Sequence, residues 1–167
     1  QHLAVKLYHQ PLQNLALPQK YSLIFIAIGS FQLIKDRTEA LRILKNLRQN
    51  LLSSGKLIIE TFVPWDEIKE GIHESTLSNS SAPIISERKA QLPDGLQIIN
   101  RSTVTLHFKE QVEISQTRYE KWDHGELLLT EEEEYTVRWY YRYEMDLFLE
   151  NAGFSSIEIK DESFEQN

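Results

Sequence analysis

Two apolar segments, one on each side of a helix-like segment, constrain the fold of this chain most strongly. Tyr21–Ile28 is almost entirely apolar and ends at Gly29 and Ser30, and Lys56–Phe62 is apolar at four of its positions. Consecutive apolar residues are typical of strands that are buried on both faces, as in parallel sheets covered by helices. The two segments therefore predict neighbouring buried strands.

The segment between these strands predicts an amphipathic helix. Asp36 is a candidate N-cap, and Glu39 follows three residues later, as in a capping box. Apolar residues then recur at helical spacing on one face, at Ala40, Leu41, Leu44, Leu47 and Leu51. Gly55 is placed where a helix end is expected. The order strand, helix, strand predicts a right-handed crossover in a parallel sheet.

The next part of the chain changes character and predicts an antiparallel meander. A short helix over Trp65–His73 and a loop over Ser75–Pro83 are followed by four predicted strands, at Ile84–Ala90, Leu96–Phe108, Val112–Trp122 and Glu126–Tyr140. The dipeptides Asp94-Gly95 and His124-Gly125 favour tight hairpin turns. The two ends of the chain add a strand at Ala4–Tyr8, a helix from Tyr143 to Gly153 and a strand at Phe154–Ile159.

Composition limits the possible functions. The 167 residues carry a formal net charge of -7, which disfavours nucleic acid as a partner because phosphate-backbone binders need clustered Lys and Arg. No apolar run is long enough for a membrane span and no signal pattern is present, so we expect a cytoplasmic protein. His9, His107 and His124 lack ligand spacing, and the run Glu131–Glu134 is expected at an exposed edge, so no metal site is predicted.

Three segments resemble class I S-adenosylmethionine-dependent methyltransferases. K-Y-S-L-I-F-I-A-I-G-S-F-Q-L-I (20–34) and L-L-S-S-G-K-L-I-I-E-T (51–61) resemble that family's fourth strand, helix and fifth strand. Y-E-M-D-L-F-L-E-N-A-G-F-S-S-I-E-I (143–159) is similar to a later helix and strand. The resemblance implies an α/β fold in which residues 1–62 form part of a Rossmann-like sheet, 63–141 form an inserted antiparallel lid, and 142–167 return to the main sheet.

The resemblance implies methyl transfer from S-adenosylmethionine to a small-molecule acceptor, and it identifies no catalytic residue. It places five residues against the cofactor, namely His9, Gln10, Ile28, Gly29 and Ser30. A simple strand-end turn is the alternative for the last three. The family's Gly-rich turn and ribose-binding acid have no counterpart here, and Ser22 replaces the usual Asp. We therefore expect a fragment that lacks the family's N-terminal strands and the main cofactor loop, and that is inactive by itself.

Five residues are candidates for an acceptor pocket: Phe31, Tyr119, Trp122, Arg138 and Tyr140. Aromatic faces attract cations, and an Arg guanidinium binds carboxylates. The alternatives are a simple strand-end turn for Phe31, which the resemblance alone places here, hairpin-core and helix packing for the other aromatic residues, and a solvated surface position for Arg138. Two other functions also stay open: a non-catalytic, methyltransferase-like binding subunit, and an unrelated α+β ligand carrier.

The resemblance also predicts self-association. In the family's sheet, the first and second strands lie between the third and the fourth. Without them, Leu23–Ile28 exposes an unpaired apolar edge, which attracts another strand. We therefore expect this chain either to associate with itself, for example by strand exchange, or to rearrange Ala4–Tyr8.

Overall fold

The computed structural model describes residues 5–72 and 79–160. Its strands are β1 (Tyr21–Ile26), β2 (Leu51–Ile59), β3 (Ile84–Gln91), β4 (Gln97–His107), β5 (Val112–Asp123) and β6 (Glu126–Arg138). Its α-helices are α1 (Arg37–Gln49), α2 (Trp65–Ile72) and α3 (Arg142–Asn151). Short 3₁₀ turns lie at Leu12–Asn14 and Ser30–Leu33. None of the described helices has the length and apolar character needed to cross a membrane.

β1 and β2 form a two-stranded parallel sheet with α1 as the crossover, which confirms the predicted strand–helix–strand unit. α1 begins as expected, because the Asp36 carboxylate accepts a hydrogen bond of 2.7 Å from the main-chain N–H of Glu39. The helix packs its apolar face on the sheet and buries Ile43, Leu44 and Leu47 almost completely.

The junction between α1 and β2 differs from the prediction. β2 begins at Leu51, directly after the helix, and Gly55 lies inside the strand instead of at a helix end. The pairing of β1 with β2 shifts register between Tyr21 and Leu23. A Cβ on Gly55 would lie 2.8 Å from the carbonyl oxygen of Tyr21, so glycine permits the close approach of the two backbones at this irregularity.

The face of the sheet opposite α1 is open. Leu23, Phe25 and Ile58 share this face and expose about half of their surfaces. Among the described residues, no strand pairs with the outer edge of β1. An apolar face and an unpaired edge therefore coincide, as the sequence predicts for this segment.

β3, β4, β5 and β6 form an antiparallel meander in sequence order, which confirms the predicted insertion. Left-handed backbone angles at Gly95, His124 and Gly125 build the two predicted tight turns. β6 is an edge strand whose residues Glu131–Glu134 are exposed. The sheet is packed against α2 through an apolar cluster of Ile68, Leu106 and Trp139.

Two predicted strands are wrong. Residues 5–8 form no strand, and Val5 and Leu7 are strongly exposed. Phe154–Ile159 follows α3 and the left-handed Gly153 as predicted, but it also pairs with no strand. Within the described ranges, neither segment has a neighbouring backbone that completes a ladder, although Phe154 and Ile159 still pack on the main core. Ala4, His73 and the loop residues 75–78 lie outside the described residues.

Candidate functional site

The carboxyl ends of β1 and β2 are joined by polar contacts. The main-chain N–H of Glu60 donates to the carbonyl of Ile26 at 2.9 Å, and the Glu60 carboxylate accepts from the N–H of Ile28 at 2.7 Å. In open α/β sheets, ligands bind at the carboxyl ends of the strands. The fold therefore favours a ligand site at this edge of the sheet.

The turn after β1 is strained. Ile28 and Gly29 have φ angles of 53° and 62°, and a left-handed conformation is a genuine outlier for a β-branched residue such as Ile28. The Ile28 side chain is 85% exposed at the edge of the sheet. A Cβ on Gly29 would lie 2.8 Å from Cε1 of Phe62, so the missing side chain leaves room for the Phe62 ring.

Gln32 joins the two sheets. Its side chain is fully buried, and its Nε2 donates to the carbonyls of Phe62 at 2.9 Å and Arg138 at 3.0 Å. Its Oε1 accepts from the N–H of Phe62 at 2.8 Å. One amide therefore connects the turn after β1, the chain after β2 and the end of β6.

A second group of polar contacts supports the same joint. The Arg138 guanidinium donates to the carbonyls of Lys35, at 2.6 Å, and Glu110. Arg37 lies 2.7 Å from the carboxylate of Glu144, which also accepts a hydrogen bond of 2.6 Å from Gln111. The geometry favours a bracing role for Arg138 over the predicted binding of an acceptor carboxylate.

An open cleft of about 780 Å³ lies beside this joint, between the chain after β2, α2 and the meander. Its wall is formed by Phe62, Val63, Pro64, Trp65, Asp66, Glu67, Lys69, Glu113 and Tyr135. The cleft reaches the carboxyl ends of the parallel strands through Phe62, which contacts Gly29. Its size is within the range of small-molecule sites.

The electrostatics of the cleft centre on Glu113. Burial raises the pKa of its carboxyl group, and the negative charge of Glu67 raises this pKa further. Glu120, on the same strand, shows the opposite behaviour, because hydrogen bonds from Arg101 and Trp122 hold its pKa below the usual range. The cleft therefore contains a carboxyl group for which ionisation is costly.

His9 and Gln10, the predicted cofactor contacts before β1, lie on the segment that precedes the parallel sheet. His9 is exposed on a segment without a partner strand. The Gln10 side-chain amide donates to the carbonyl of Ala16 at 3.1 Å and accepts from its N–H at 2.8 Å. Both groups of the Gln10 side-chain amide are thus engaged in closing its own loop.

Phe31 and Tyr140 belong to the core and not to an acceptor wall. They expose 0% and 3% of their surfaces, and their ring centroids are 5.8 Å apart. Burial raises the pKa of Tyr140 to about 12. Among the described residues, no group forms a hydrogen bond with its hydroxyl. Core packing is therefore favoured for both residues.

Tyr119 and Trp122 are too far along the meander to meet the turn after β1. β5 begins beside the joint at Val112, which pairs with Arg138. At about 3.4 Å per residue, Trp122 is roughly 30 Å further along the strand. It lines a separate cavity of about 220 Å³ at the hairpin ends, together with His124 and Gly125. The structure thus does not bring these aromatic residues together with Ile28, Gly29 and Ser30.

The described residues fit one rim of a cofactor site and not a complete site. Ile28 and Ser30 are exposed at the edge where a ligand would lie. However, the N–H of Ile28 is already bonded to Glu60, and the Ser30 hydroxyl donates to the carbonyl of Ala27 at 2.7 Å. These two residues therefore offer contact surface, but neither of these groups is free to bind a cofactor carboxylate. No group of three or more His, Asp or Glu suited to a metal occurs in the described ranges.

Several site residues were missed by sequence reasoning. They are Gln32, Phe62, Trp65, Glu113 and Tyr135. Phe62 is the last residue of the predicted buried strand Lys56–Phe62 and Trp65 follows it, and this position was the only available signal. Glu113 alternates with apolar residues along a strand, so its pattern predicts a solvated side chain.

Comparison with known proteins shows similarity in structure only. No protein-family model matches the chain, and no curated protein sequence matches it. A solved S-adenosylmethionine-dependent methyltransferase from Clostridium acetobutylicum matches 90% of this chain and 54% of its own, at 17% identity and a TM-score of 0.64.

Two further solved structures agree. CalS10, an amino pentose methyltransferase from Micromonospora echinaspora solved with S-adenosylmethionine bound, matches 86% of this chain and 54% of its own, at 13% identity and a TM-score of 0.63. The sugar N-methyltransferase KedS8 from Streptoalloteichus matches 86% and 52%, at 15% identity and a TM-score of 0.62. The chain has the fold of S-adenosylmethionine-dependent small-molecule methyltransferases and spans about half the length of these solved proteins.

Proposed function

We propose that this chain forms part of an enzyme that methylates a small-molecule acceptor with S-adenosylmethionine. The observation that carries the proposal is the cleft at the carboxyl end of β2, roofed by the meander, in a chain that shares the methyltransferase fold. When bound, S-adenosylmethionine supplies an electrophilic methyl group on a sulfonium.

The residues of this chain contribute alignment and exclusion of water. Gln32 joins the end of β6 to the chain after β2, so one buried amide links the two walls of the cleft. Displacement at a methyl carbon depends strongly on how the reactants are oriented. Ile28 and Ser30 provide an exposed rim at the turn after β1. This role requires no acid–base residue at that turn.

A non-catalytic binding subunit is a second candidate, and one specific observation favours it. The N–H of Ile28 and the hydroxyl of Ser30 are both engaged by other groups of the chain. Ser22 also stands where the resemblance leads us to expect Asp. Such a relative would bind an acceptor without turning it over.

The test uses the full-length protein. S-adenosylmethionine and its demethylated product are titrated by calorimetry, and methyl transfer to a panel of small amines, alcohols and carboxylic acids is followed by mass spectrometry. Cofactor binding with a mass increase of one methyl group on an acceptor is the expected result. Acceptor binding without turnover would instead identify a binding subunit. If neither cofactor nor product binds, methyl transfer is rejected.

A further inference from the structure

Glu113 is a carboxylate in apolar surroundings. It exposes 7% of its surface and lies between Leu106 of β4 and Val137 of β6, its neighbours across the two ladders. Leu106 belongs to the apolar cluster that packs the meander on α2. The strand register thus places the acidic side chain on the covered face of the sheet.

Glu113 has no partner within the described part of the chain. No described residue donates a hydrogen bond to its carboxylate or forms an ion pair with it. Burying a charge without a partner costs several kcal/mol. Glu120, which is buried to a similar degree, accepts hydrogen bonds from Arg101 at 2.7 Å and from Trp122 at 3.0 Å. The same sheet therefore pairs one buried acid and leaves the other unpaired.

The unpaired carboxylate lines the cleft, where negative charge dominates. Glu67 and Asp66 of α2 line it as well, and Lys69 is the single cation among its described lining residues. The Lys69 ammonium lies 3.4 Å from Asp66, so its charge is directed to that partner. Glu113 and Glu67 have no cation of the cleft within ion-pair distance. A positively charged ligand would compensate the negative charges of both carboxylates.

Aromatic faces in the cleft add attraction for a cation. Phe62, Trp65 and Tyr135 line it, and each is about half exposed. The Trp65 ring is held by Tyr141, with 5.9 Å between their centroids. Aromatic faces with a nearby carboxylate form a recurrent environment for ammonium groups.

We propose that this cleft binds the protonated amine of a small-molecule ligand, with Glu113 as its counter-ion. The identification of that ligand as the methyl acceptor rests on the proposed function. The proposal that an amine binds here does not rest on the proposed function, because all the residues that would contact the amine belong to this chain.

The test compares three probes of one shape and different charge: cyclohexylamine, cyclohexanol and cyclohexanecarboxylate. Each is titrated into the full chain at neutral pH without cofactor, and binding is followed by calorimetry and NMR. We expect the amine to bind about ten-fold more tightly than the alcohol, because a hydrogen bond between two charged groups is stronger than one between a hydroxyl and a carboxylate. An amine that binds no better than the alcohol, or shows no binding, overturns the proposal.

Glu113→Gln is the decisive variant, and Glu131→Gln on exposed β6 is the matched control that removes the same charge elsewhere. The preference for the amine should disappear in Glu113→Gln and persist in Glu131→Gln. Equal amine affinity in Glu113→Gln and the unmodified chain would reject the assignment. Both variants are checked for an unchanged circular dichroism spectrum.

A pH titration of the unmodified chain keeps the test valid if Glu113→Gln fails to fold. The groups that face Glu113 across the cleft are Glu67, Asp66, Lys69 and Tyr135. Protonation of Glu113 should abolish the preference for the amine at a pH above the ordinary carboxyl range, because the pKa of Glu113 is raised. A preference that survives acidification through that range contradicts the proposal. Because no cofactor is present, absence of methyl transfer in the separate assay leaves these results unaffected.

Discussion

Gln32 and Phe62 exchange two hydrogen bonds: the Gln32 Nε2 donates to the Phe62 carbonyl at 2.9 Å, and the Phe62 N–H donates to the Gln32 Oε1 at 2.8 Å. The same Nε2 also donates to the carbonyl of Arg138. Because Gln32 is fully buried, its amide has no access to water as a replacement partner. One buried side chain therefore contributes three hydrogen bonds to the joint between the meander and the parallel strands.

Gln32→Leu should destabilise the fold by roughly 2–4 kcal/mol, since it leaves several buried main-chain groups without partners. The free energy of unfolding is measured by urea denaturation. Gln116→Leu is the control, because Gln116 is exposed and its side-chain amide donates to the carboxylate of Glu134, also on the exposed part of the meander. The control should change the free energy by no more than about 0.5 kcal/mol. Similar losses in the two variants would contradict the role of Gln32 as a joint.

Gly29→Ala should cost about 1 kcal/mol more stability than Gly125→Ala. Both glycines have positive φ, but a Cβ at Gly125 meets nothing within 4 Å, whereas one at Gly29 meets the Phe62 ring. The extra cost should vanish when Phe62 is also replaced by Ala. A double-mutant cycle from thermal unfolding measures this coupling. A coupling near zero would show that the ring does not constrain the turn.

Glu113→Gln should raise the free energy of unfolding by about 1–2 kcal/mol at neutral pH, because it removes a buried unpaired charge. The pKa of Glu113 is raised in the folded state. Between the unfolded and folded pKa values the folded chain holds more protons, so its stability falls as pH rises through this window. The advantage of the variant should therefore shrink on acidification below it. A pH-independent difference from the unmodified chain would count against this explanation.

The chain should self-associate through β1, as the unpaired edge predicts, and Phe25→Lys should weaken this association. Phe25 is 58% exposed on the open apolar face, so the lysine is compatible with the folded chain. Sedimentation velocity over a range of protein concentrations measures the effect. Ile85→Lys on β3, which is 78% exposed at the edge of the other sheet, is the matched control. A chain that stays monomeric throughout, or that loses association only in Ile85→Lys, rejects the prediction.

The sequence predicted the parallel unit and the meander well because their signals are local. Tyr21–Ile26 is apolar except at Ser22, and the left-handed residues Gly95 and Gly125 mark the two turns. The strands at 5–8 and Phe154–Ile159 failed because a strand exists only with a neighbouring ladder, and propensity does not report a missing partner. Gly55 was misassigned because a glycine that permits close strand pairing looks the same as one that ends a helix.

The site was less predictable than the fold. Val112 and Ile114 suggest that their face of β5 is buried, yet Glu113, Ser115 and Thr117 are the buried residues. The reason is non-local: the neighbours of Glu113 are Leu106 and Val137, and their covered face determines its environment. Gln32 was missed for the same reason, since a buried amide and a solvated one have the same sequence context.

Gln32 bonds only to main-chain atoms of its partners, and this has a consequence for divergence among related chains. Any residue except proline at position 62 still presents the N–H and the carbonyl that the amide requires. The Phe62 side chain, which lines the cleft, is therefore free to be replaced while the attachment of the meander is retained. A substitution at position 62 can therefore change the wall of the cleft without removing the hydrogen bonds that attach the meander.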